Sequence, residues 1–440
     1  MNILILASIP FDGIRRRQQQ VAAGLAAGGH EVLYLEPPRP IRSLIDPGRF
    51  EPRELELPPE LEASGEAAAD VPTSVEARIE VARVVGLRVW SPRPRLRVAR
   101  RGIALARMGR WGWATRAGWR LWSRQVRRLL PSLTAAGTEP EQRFCPDLAI
   151  VYHPALISAV CEGLAAPVVF DCVEDFPSLA PSSSIAAAYE EALARGLPRV
   201  DGFLTVNRYI AESWGRLLAP GVPSAIVEHG VDLTLFRPIR PEGRRLAREA
   251  LEIPPERQIA AYLGRFDARI SFADLQQALG ADVRRMLLLL GEVDSEGETT
   301  LQRLPASQIR RVGPLRQEQA SALLSAADLL LVPFRREPHL EAIRGLKLYE
   351  YLATGLPTVA AFRRGLKAFR ELLYLYTTQE EMEAAIREAL RESPNDPLRE
   401  KRVAAAQEAG WEKRLVEIEA FLEKVRLAGR HAGNDRGGIA

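Results

Sequence analysis

Cysteine is scarce in this sequence and none of it is paired. Three cysteines, Cys145, Cys161 and Cys172, stand among 440 residues with no CxxC spacing. That argues against a disulfide framework and a thiolate metal site, and points to a reducing compartment. No apolar run approaches the roughly 18 residues that a spanning helix needs, so no membrane span is expected. The apolar start Met1–Ser8 is short, lacks a basic lead and runs into Pro10, so it does not read as a signal peptide. Gly-x-Gly-x-x-Gly is absent after the first apolar run, which argues against a dinucleotide dehydrogenase. Asp-x-Asp occurs nowhere. Acidic residues are missing altogether from Arg83 to Leu130, where 14 arginines and five of the seven tryptophans stand. The net charge is only +4, so its distribution says more than its size.

What is present alternates between two periods. Asn2–Ser8 (NILILAS) reads as a buried parallel strand. Arg15–Ala27 reads as a helix stopped by Gly28 and Gly29, and Val32–Leu35 as the next strand. Strand, helix and strand in about 35 residues make a βαβ unit, hence a parallel sheet with a right-handed crossover. Glu51–Ala82, rich in Pro, Glu and Ala, reads as a surface insertion. Val84–Trp90 is an expected strand and Trp111–Leu130 an expected helix. Asp147–Tyr152, Val168–Phe170 and Phe203–Val206 follow at α/β spacing. Near residue 230 the pattern restarts: Ala260–Leu263, Met286–Leu290, Arg311–Val312, Leu329–Pro333 and Thr358–Ala361 as strands, Gln317–Ala326 and Leu348–Ala353 as helices. The expected fold is α/β, two Rossmann-like doubly wound domains facing a cleft. Expected boundaries are 1–225 and 226–403, then a C-terminal helix over 404–427 and a flexible tail over 428–440.

The second half carries a more specific pattern. RVGPLRQEQASALLSAADLLLVPF followed by GLKLYEYLATGLPTVAA resembles the carboxyl-terminal domain of the group-1 retaining glycosyltransferases of GT-B fold. His229–Pro238 (HGVDLTLFRP) resembles that family's NGVD-x-x-x-F-x-P segment, with His229 in place of Asn. Tyr262–Asp267 (YLGRFD) resembles its strand ending in Gly-Arg, and Phe170–Leu179 resembles a subset acting in bacterial surface polysaccharide synthesis. The family often shows two glutamates separated by seven residues. Here Glu350 fits the second, whereas the first position holds Ala342, with Glu341 beside it.

The resemblance implies a sugar transferred from a nucleotide-sugar donor, with a uridine diphosphate sugar expected, to a glycan or lipid-linked glycan. Breaking the sugar–phosphate bond leaves charge on the departing diphosphate, which fixed cations must meet. With no Asp-x-Asp to hold a metal, metal-independent chemistry without a cofactor is expected, and the resemblance puts Arg265, after Gly264, and Lys347 on the diphosphate. Alternatively Lys347 snorkels from a helix start and Arg265 makes a surface pair. Glu350, three residues after Lys347 on the same helix face, is implied as the ribose acceptor, or as an ion pair with Lys347. The turn Gly313, Pro314, Leu315 is an expected base-reading loop, or simply a connection. On the acceptor side, Asp171, Glu174 and Asp175 cluster after a strand and His153 ends another. One of them serves as a base, or the acids cap a helix and the histidine is structural. Gly13 and Arg15 lie in a loop that the resemblance places at the acceptor or donor edge, or else in a solvated helix start.

Rival readings are an epimerase of sugar nucleotides on the same fold and a non-catalytic nucleotide-sugar or nucleic-acid binding module. No nucleic-acid motif accompanies the arginines, so nucleic acid is not an expected partner. An anionic membrane surface bound through Arg83–Leu130 is expected instead. On Trp119–Leu130, Trp119, Trp122, Val126 and Leu129 share one helical face, with Arg120, Arg124, Arg127 and Arg128 on the flank or opposite. This places the protein in the cytoplasm, peripheral on the inner face of the membrane. Alternatively the aromatic face packs inward as core.

Overall fold

The computed structural model describes residues 1–11, 16–37, 39–40, 82–84, 87–93, 96–100, 103–104, 112–134, 144–280, 282–337, 340 and 346–436. Gly13, Arg15, Glu341 and Ala342 therefore lie outside the described residues, as does nearly all of the expected insertion. The chain divides into two compact units. The first takes the described residues up to Glu228 together with Glu412–Arg436, and the second takes His229–Trp411.

The first unit opens with β1 (Asn2–Leu6), α1 (Arg17–Ala27) and β2 (Glu31–Leu35). β1 pairs parallel with β2, as a short apolar strand buried on both faces should. A two-residue β3 (Arg39–Pro40) follows. The expected strand at Val84–Trp90 is two strands, β4 (Ala82–Val84) and β5 (Leu87–Arg93), paired antiparallel. β6 (Leu96–Arg100), β7 (Ile103–Ala104) and α2 (Gly112–Thr134) come next. Then come β8 (Leu148–Val151), α3 (Ile157–Gly163), β9 (Val168–Cys172), α4 (Ser183–Gly196), β10 (Gly202–Thr205), α5 (Arg208–Gly215) and β11 (Ser224–Ile226). The strands form one nine-stranded sheet ordered β11-β10-β9-β8-β1-β2-β6-β5-β4, with β3 and β7 as a separate pair. Only β5 runs against the other strands, pairing antiparallel with β6 on one side and β4 on the other at one edge of the sheet.

The second unit runs α6 (Pro241–Ala250), β12 (Gln258–Leu263), α7 (Phe272–Leu279), β13 (Arg285–Leu290), α8 (Ser295–Leu301), β14 (Ile309–Val312), α9 (Gln317–Leu324), β15 (Leu329–Val332), α10 (Leu346–Thr354), β16 (Thr358–Ala361), β17 (Tyr374–Tyr376), α11 (Gln379–Ala389) and α12 (Pro397–Glu408). Its sheet is wholly parallel, ordered β14-β13-β12-β15-β16-β17. The apolar run MLLLL explains β13, every residue of which is buried. Leu263 N–H donates to the Tyr351 hydroxyl at 2.8 Å, tying β12 to α10.

The C-terminal helical stretch is two helices, separated at Ala409–Gly410, where Gly410 bridges Val231. The last, α13 (Trp411–Arg436), runs through most of the expected tail. It packs on the first unit because small residues let it in close. A Cβ at Gly24 would overlap Leu415, and one at Gly429 would lie 2.5 Å from Pro167 Cγ. His30 Nε2 meets Glu419 Oε1 at 2.8 Å.

The expected membrane-facing aromatic stripe on α2 is core. Trp119, Trp122, Val126 and Leu129 are all buried, packed among residues of α3, α4 and the neighbouring strands. The aromatic face needed a partner and the protein supplies it. No described helix is long and apolar enough to cross a membrane.

Candidate functional site

In the second sheet β12 has β13 on one side and β15 on the other, so the strand order reverses there. Ligands of open α/β sheets bind beyond the carboxyl ends at such a point. Lys347, at the start of α10, sits at that place. Its Nζ lies 3.6 Å from the ring centre of Tyr262 on β12 and 5.2 Å from that of Phe334, two residues past β15. Among the described residues it makes no ion pair. Burial, ahead of the nearby Arg269 charge, pushes its ammonium well below the ordinary lysine range. A half-desolvated cation held by two aromatic faces is prepared for an anion.

The ends of the three strands on this side are all glycine. Gly264 after β12, Gly291 after β13 and Gly313 after β14 have φ of +122°, +140° and +139°. Gly264 N–H donates to Leu290 O at 2.8 Å, and Gly291 N–H to Val312 O at 2.9 Å. A Cβ at Gly291 would meet Gly264 O at 2.5 Å, and one at Gly313 would meet Gly291 O at 2.6 Å. The row leaves bare backbone along the sheet edge, which only glycine permits at these angles. Arg265, beyond Gly264, is about half exposed and reaches Asp294 Oδ2 at 3.6 Å. Asp294 in turn caps α8 through its Glu296 and Gly297 N–H groups.

Glu350 lies one turn beyond Lys347 and is buried. Its Oε1 accepts from Gln317 Nε2 at 3.2 Å. Burial raises its carboxyl to about 7, while the Lys347 charge and the Gln317 hydrogen bond pull it back and Asp232 adds to the rise. Gly313 is exposed, Pro314 half-buried and Leu315 buried. The turn thus anchors through Leu315 and presents backbone at Gly313.

In the first unit the four acceptor-side candidates separate. Asp171, on β9, accepts Arg17 Nε at 2.8 Å, with both side chains almost fully buried. Arg17 Nη1 also donates to Val227 O at 2.9 Å and Glu228 O at 3.1 Å. This geometry makes Asp171 an internal ion-pair partner, contrary to the expectation of a base. His153 fits the structural alternative. Its Nδ1 accepts Ala155 N–H at the start of a short turn of 3-10 helix. Trp119, Trp122, Phe176 and Tyr189 surround its ring at centroid distances of 5.1–5.9 Å. Burial lowers it to about 3. Asp175 is half-buried, taking Trp214 Nε1 at 3.1 Å on one oxygen and Ser178 Oγ on the other. Glu174 is exposed.

Four residues of this site escaped sequence reading: Tyr262, Phe334, Gly291 and Gln317. Gly291 had a signal, since it ends an apolar run just as Gly264 does. The aromatic pair had none, because strand Tyr and Phe read first as core. Among the described residues no group of His, Cys, Asp and Glu is arranged to hold a metal ion.

Residues 257–392, which contain the glycine row, Lys347 and Glu350, match the family model described as glycosyl transferases group 1. That stretch is similar to the group 1 glycosyltransferase domain. Over 153 residues it is 33% identical to a D-inositol 3-phosphate glycosyltransferase of Segniliparus rotundus, covering 32% of each chain. Over 174 residues it is 22% identical to the putative teichuronic acid biosynthesis glycosyltransferase TuaH of Bacillus subtilis, covering 39% of this chain and 42% of that one. The matches thus span less than half the length of these relatives. Solved structures resemble the chain over nearly its full length. Sucrose-phosphate synthase from Thermosynechococcus elongatus superposes with a TM-score of 0.67 at 17% identity, covering 97% of this chain and 99% of that one. WaaG, a glycosyltransferase of lipopolysaccharide biosynthesis, gives 0.60 at 15%, covering 96% and 99%. Anabaena HepE, solved with UDP and glucose, gives 0.61 at 13%, also covering 96% and 99%. The fold these neighbours share with the chain is GT-B.

Proposed function

We propose that the protein transfers a sugar from a uridine diphosphate sugar to a glycan or lipid-linked glycan, without a metal ion. The observation that carries this reading is Lys347 standing beside a row of positive-φ glycines at the carboxyl edge of a sheet. The diphosphate lies along the bare backbone of Gly264 and Gly291, with Lys347 and Arg265 as its counter-charges. When the bond from the anomeric carbon to the β-phosphate oxygen breaks, negative charge grows on that oxygen. A desolvated ammonium meets it more strongly there than in water. Glu350 serves the ribose, and the backbone at Gly313 faces the base. The preference for uridine draws support from neighbours: HepE was solved with UDP and glucose, and a trehalose-6-phosphate structure with UDP-2-fluoro glucose. On the acceptor side the proposal rests on Glu174 and Asp175 as the carboxylates that orient a hydroxyl.

A lipid-linked acceptor requires contact with a membrane, and α2 offers a surface for it. Arg120, Arg124 and Arg128 are exposed and make no ion pair among the described residues, while Arg127 pairs with Glu162. The docking surface is this arginine face, not the buried aromatic one.

A thermal-shift panel of UDP, GDP, TDP and ADP sugars tests the donor. A ligand at 100 times its Kd should stabilise by about 2.7 kcal/mol. Failure of every nucleotide to shift the protein would overturn the reading. Release of UDP only when a glycan acceptor is added separates transfer from epimerisation, which needs the donor alone.

A further inference from the structure

Gln317, the first residue of α9, has an amide that is only half used. Its Nε2 donates to Glu350 Oε1 at 3.2 Å, while its Oε1 is buried and has no hydrogen-bond partner among the described residues. A buried acceptor without a donor is unfavourable, and structures seldom leave one without a reason. The amide is also tightly placed. The helix that carries it is fixed at Ser321, whose hydroxyl donates to Leu235 O at 2.6 Å. The charged groups facing Glu350 are Lys347 on its own helix and Asp232 from the segment entering this unit; Gln317 is its neutral partner.

We infer that Gln317 and Glu350 together read the vicinal diol of a ribonucleotide, and that Gln317 makes the site reject 2′-deoxyribonucleotides. This rests on the proposed nucleotide site. The chemistry is a count of donors. A ribose offers two adjacent hydroxyls, each needing an acceptor once buried. Glu350, with one oxygen taken up by Gln317, has its second oxygen for one hydroxyl. The orphan Gln317 Oε1 supplies the other. A 2′-deoxyribose brings one hydroxyl and leaves the amide oxygen without a donor, a loss of the kind that gives polar sites their strongest discrimination. Gln317 also holds Glu350 toward its ionised form, so the pair acts as one unit.

The test uses matched pairs, UDP with 2′-deoxy-UDP and GDP with 2′-deoxy-GDP, titrated by calorimetry into the full-length protein. The wild type should prefer the ribonucleotide. In Gln317→Leu, and in Gln317→Asn should the leucine variant fold poorly, affinity for the ribonucleotide should fall roughly 3- to 10-fold. Affinity for the deoxy partner should hardly change, so the preference collapses. The pH at which binding rises should also move upward, since Gln317 no longer favours the ionised carboxylate. A merely structural role for Gln317 would weaken both partners of a pair alike and leave their ratio intact. Normal ribonucleotide binding with an unchanged ratio in both variants overturns the inference alone. If no nucleotide of either kind binds the wild type, the nucleotide site itself is wrong and the inference falls with it.

Discussion

A methyl group built on Gly264 would stand 3.1 Å from the Nζ of Lys347. The glycine and the cation are therefore fitted to each other, and Gly264→Ala tests both at once. At φ +122° an alanine is strained by about 1–3 kcal/mol, and its methyl must displace the ammonium. The expected result is a lower Tm together with a loss of UDP binding. Gly243→Ala is the control: its Cβ would meet nothing closer than Ser325 Oγ at 3.9 Å. In the first turn of α6 (Pro241–Ala250) it should leave stability unchanged or raise it by up to about 1 kcal/mol. UDP binding by Gly264→Ala equal to that of the control would remove this glycine from the site.

Lys347→Ala should abolish the thermal shift by UDP, weakening binding by roughly 1.5–3 kcal/mol for the lost charge-assisted contact. The apoprotein should keep its Tm or gain slightly, because the ammonium is desolvated over Tyr262 and Phe334 with no ion-pair partner among the described residues. Lys347→Arg should not restore binding, since a planar fork does not fill a place shaped for a compact ammonium. Isothermal titration of the three proteins decides it; full affinity in the alanine variant contradicts the clamp.

The pH dependence has two limbs. Burial raises Glu350 to about 7, so near pH 6 it is largely protonated and near pH 8 largely ionised. The ionised carboxylate accepts ribose hydroxyls better, so UDP affinity should climb through neutrality. Lys347 is lowered, so affinity should fall again on the alkaline side at a pH below the ordinary lysine range. Stability runs the other way for the acid. A carboxyl whose folded value is raised contributes stability at low pH that is lost between about 4.5 and about 7. Glu350→Gln should flatten both the acid limb of binding and this stability slope, measured by chemical denaturation from pH 4 to 8.

The acceptor-side residues should divide by their surroundings. Asp171→Asn breaks a nearly fully buried ion pair, leaving Arg17 uncompensated, so it should destabilise by about 3–5 kcal/mol. His153→Ala empties a space lined by four aromatic rings and should likewise lower Tm. Glu174→Gln and Asp175→Asn should leave Tm nearer the wild type and act on turnover, by about 10²–10⁴-fold for whichever holds the acceptor hydroxyl. Normal turnover in both would place the base elsewhere.

These divisions mark what a sequence makes legible. Strand and helix placement was readable because buried parallel strands are short apolar runs, as MLLLL at β13 shows. Lys347 and Glu350 stand out in the sequence because they lie one helical turn apart inside a specific block, and their role is the one proposed above. What a side chain touches across the fold was not readable. Asp171 looks the same in sequence whether it faces an acceptor or Arg17, 154 positions away. The helix stripe of Trp119 and Trp122 likewise suits a membrane or a core. Only the packing of α3 and α4 against α2 decides for the core.

The arginine face of α2 carries the last prediction. With the aromatic side buried, binding on the outer side runs through charge, because among the described residues of the helix Leu121 is the one large apolar side chain with substantial exposure. Arg120, Arg124 and Arg128 recur every four residues and so line one side of the helix. They are exposed and make no ion pair among the described residues, and the sequence around them supplies no acid from Arg83 to Leu130. Each arginine near an anionic lipid surface contributes about 1 kcal/mol, so three give on the order of 100-fold in binding. Such attraction is screened within a Debye length of about 10 Å at 0.1 M salt. The protein should therefore co-sediment with vesicles containing anionic phospholipid at low salt, release at high salt, and ignore neutral vesicles. Changing Arg120, Arg124 and Arg128 together to Glu should abolish binding while leaving Tm nearly unaltered, because none of the three supports the fold through an ion pair. Trp119→Ala should do the reverse, lowering Tm without removing the salt-sensitive binding of the protein that remains folded. Equal binding to neutral and anionic vesicles would point to an apolar insertion instead, and would contradict the arginine face as the docking surface.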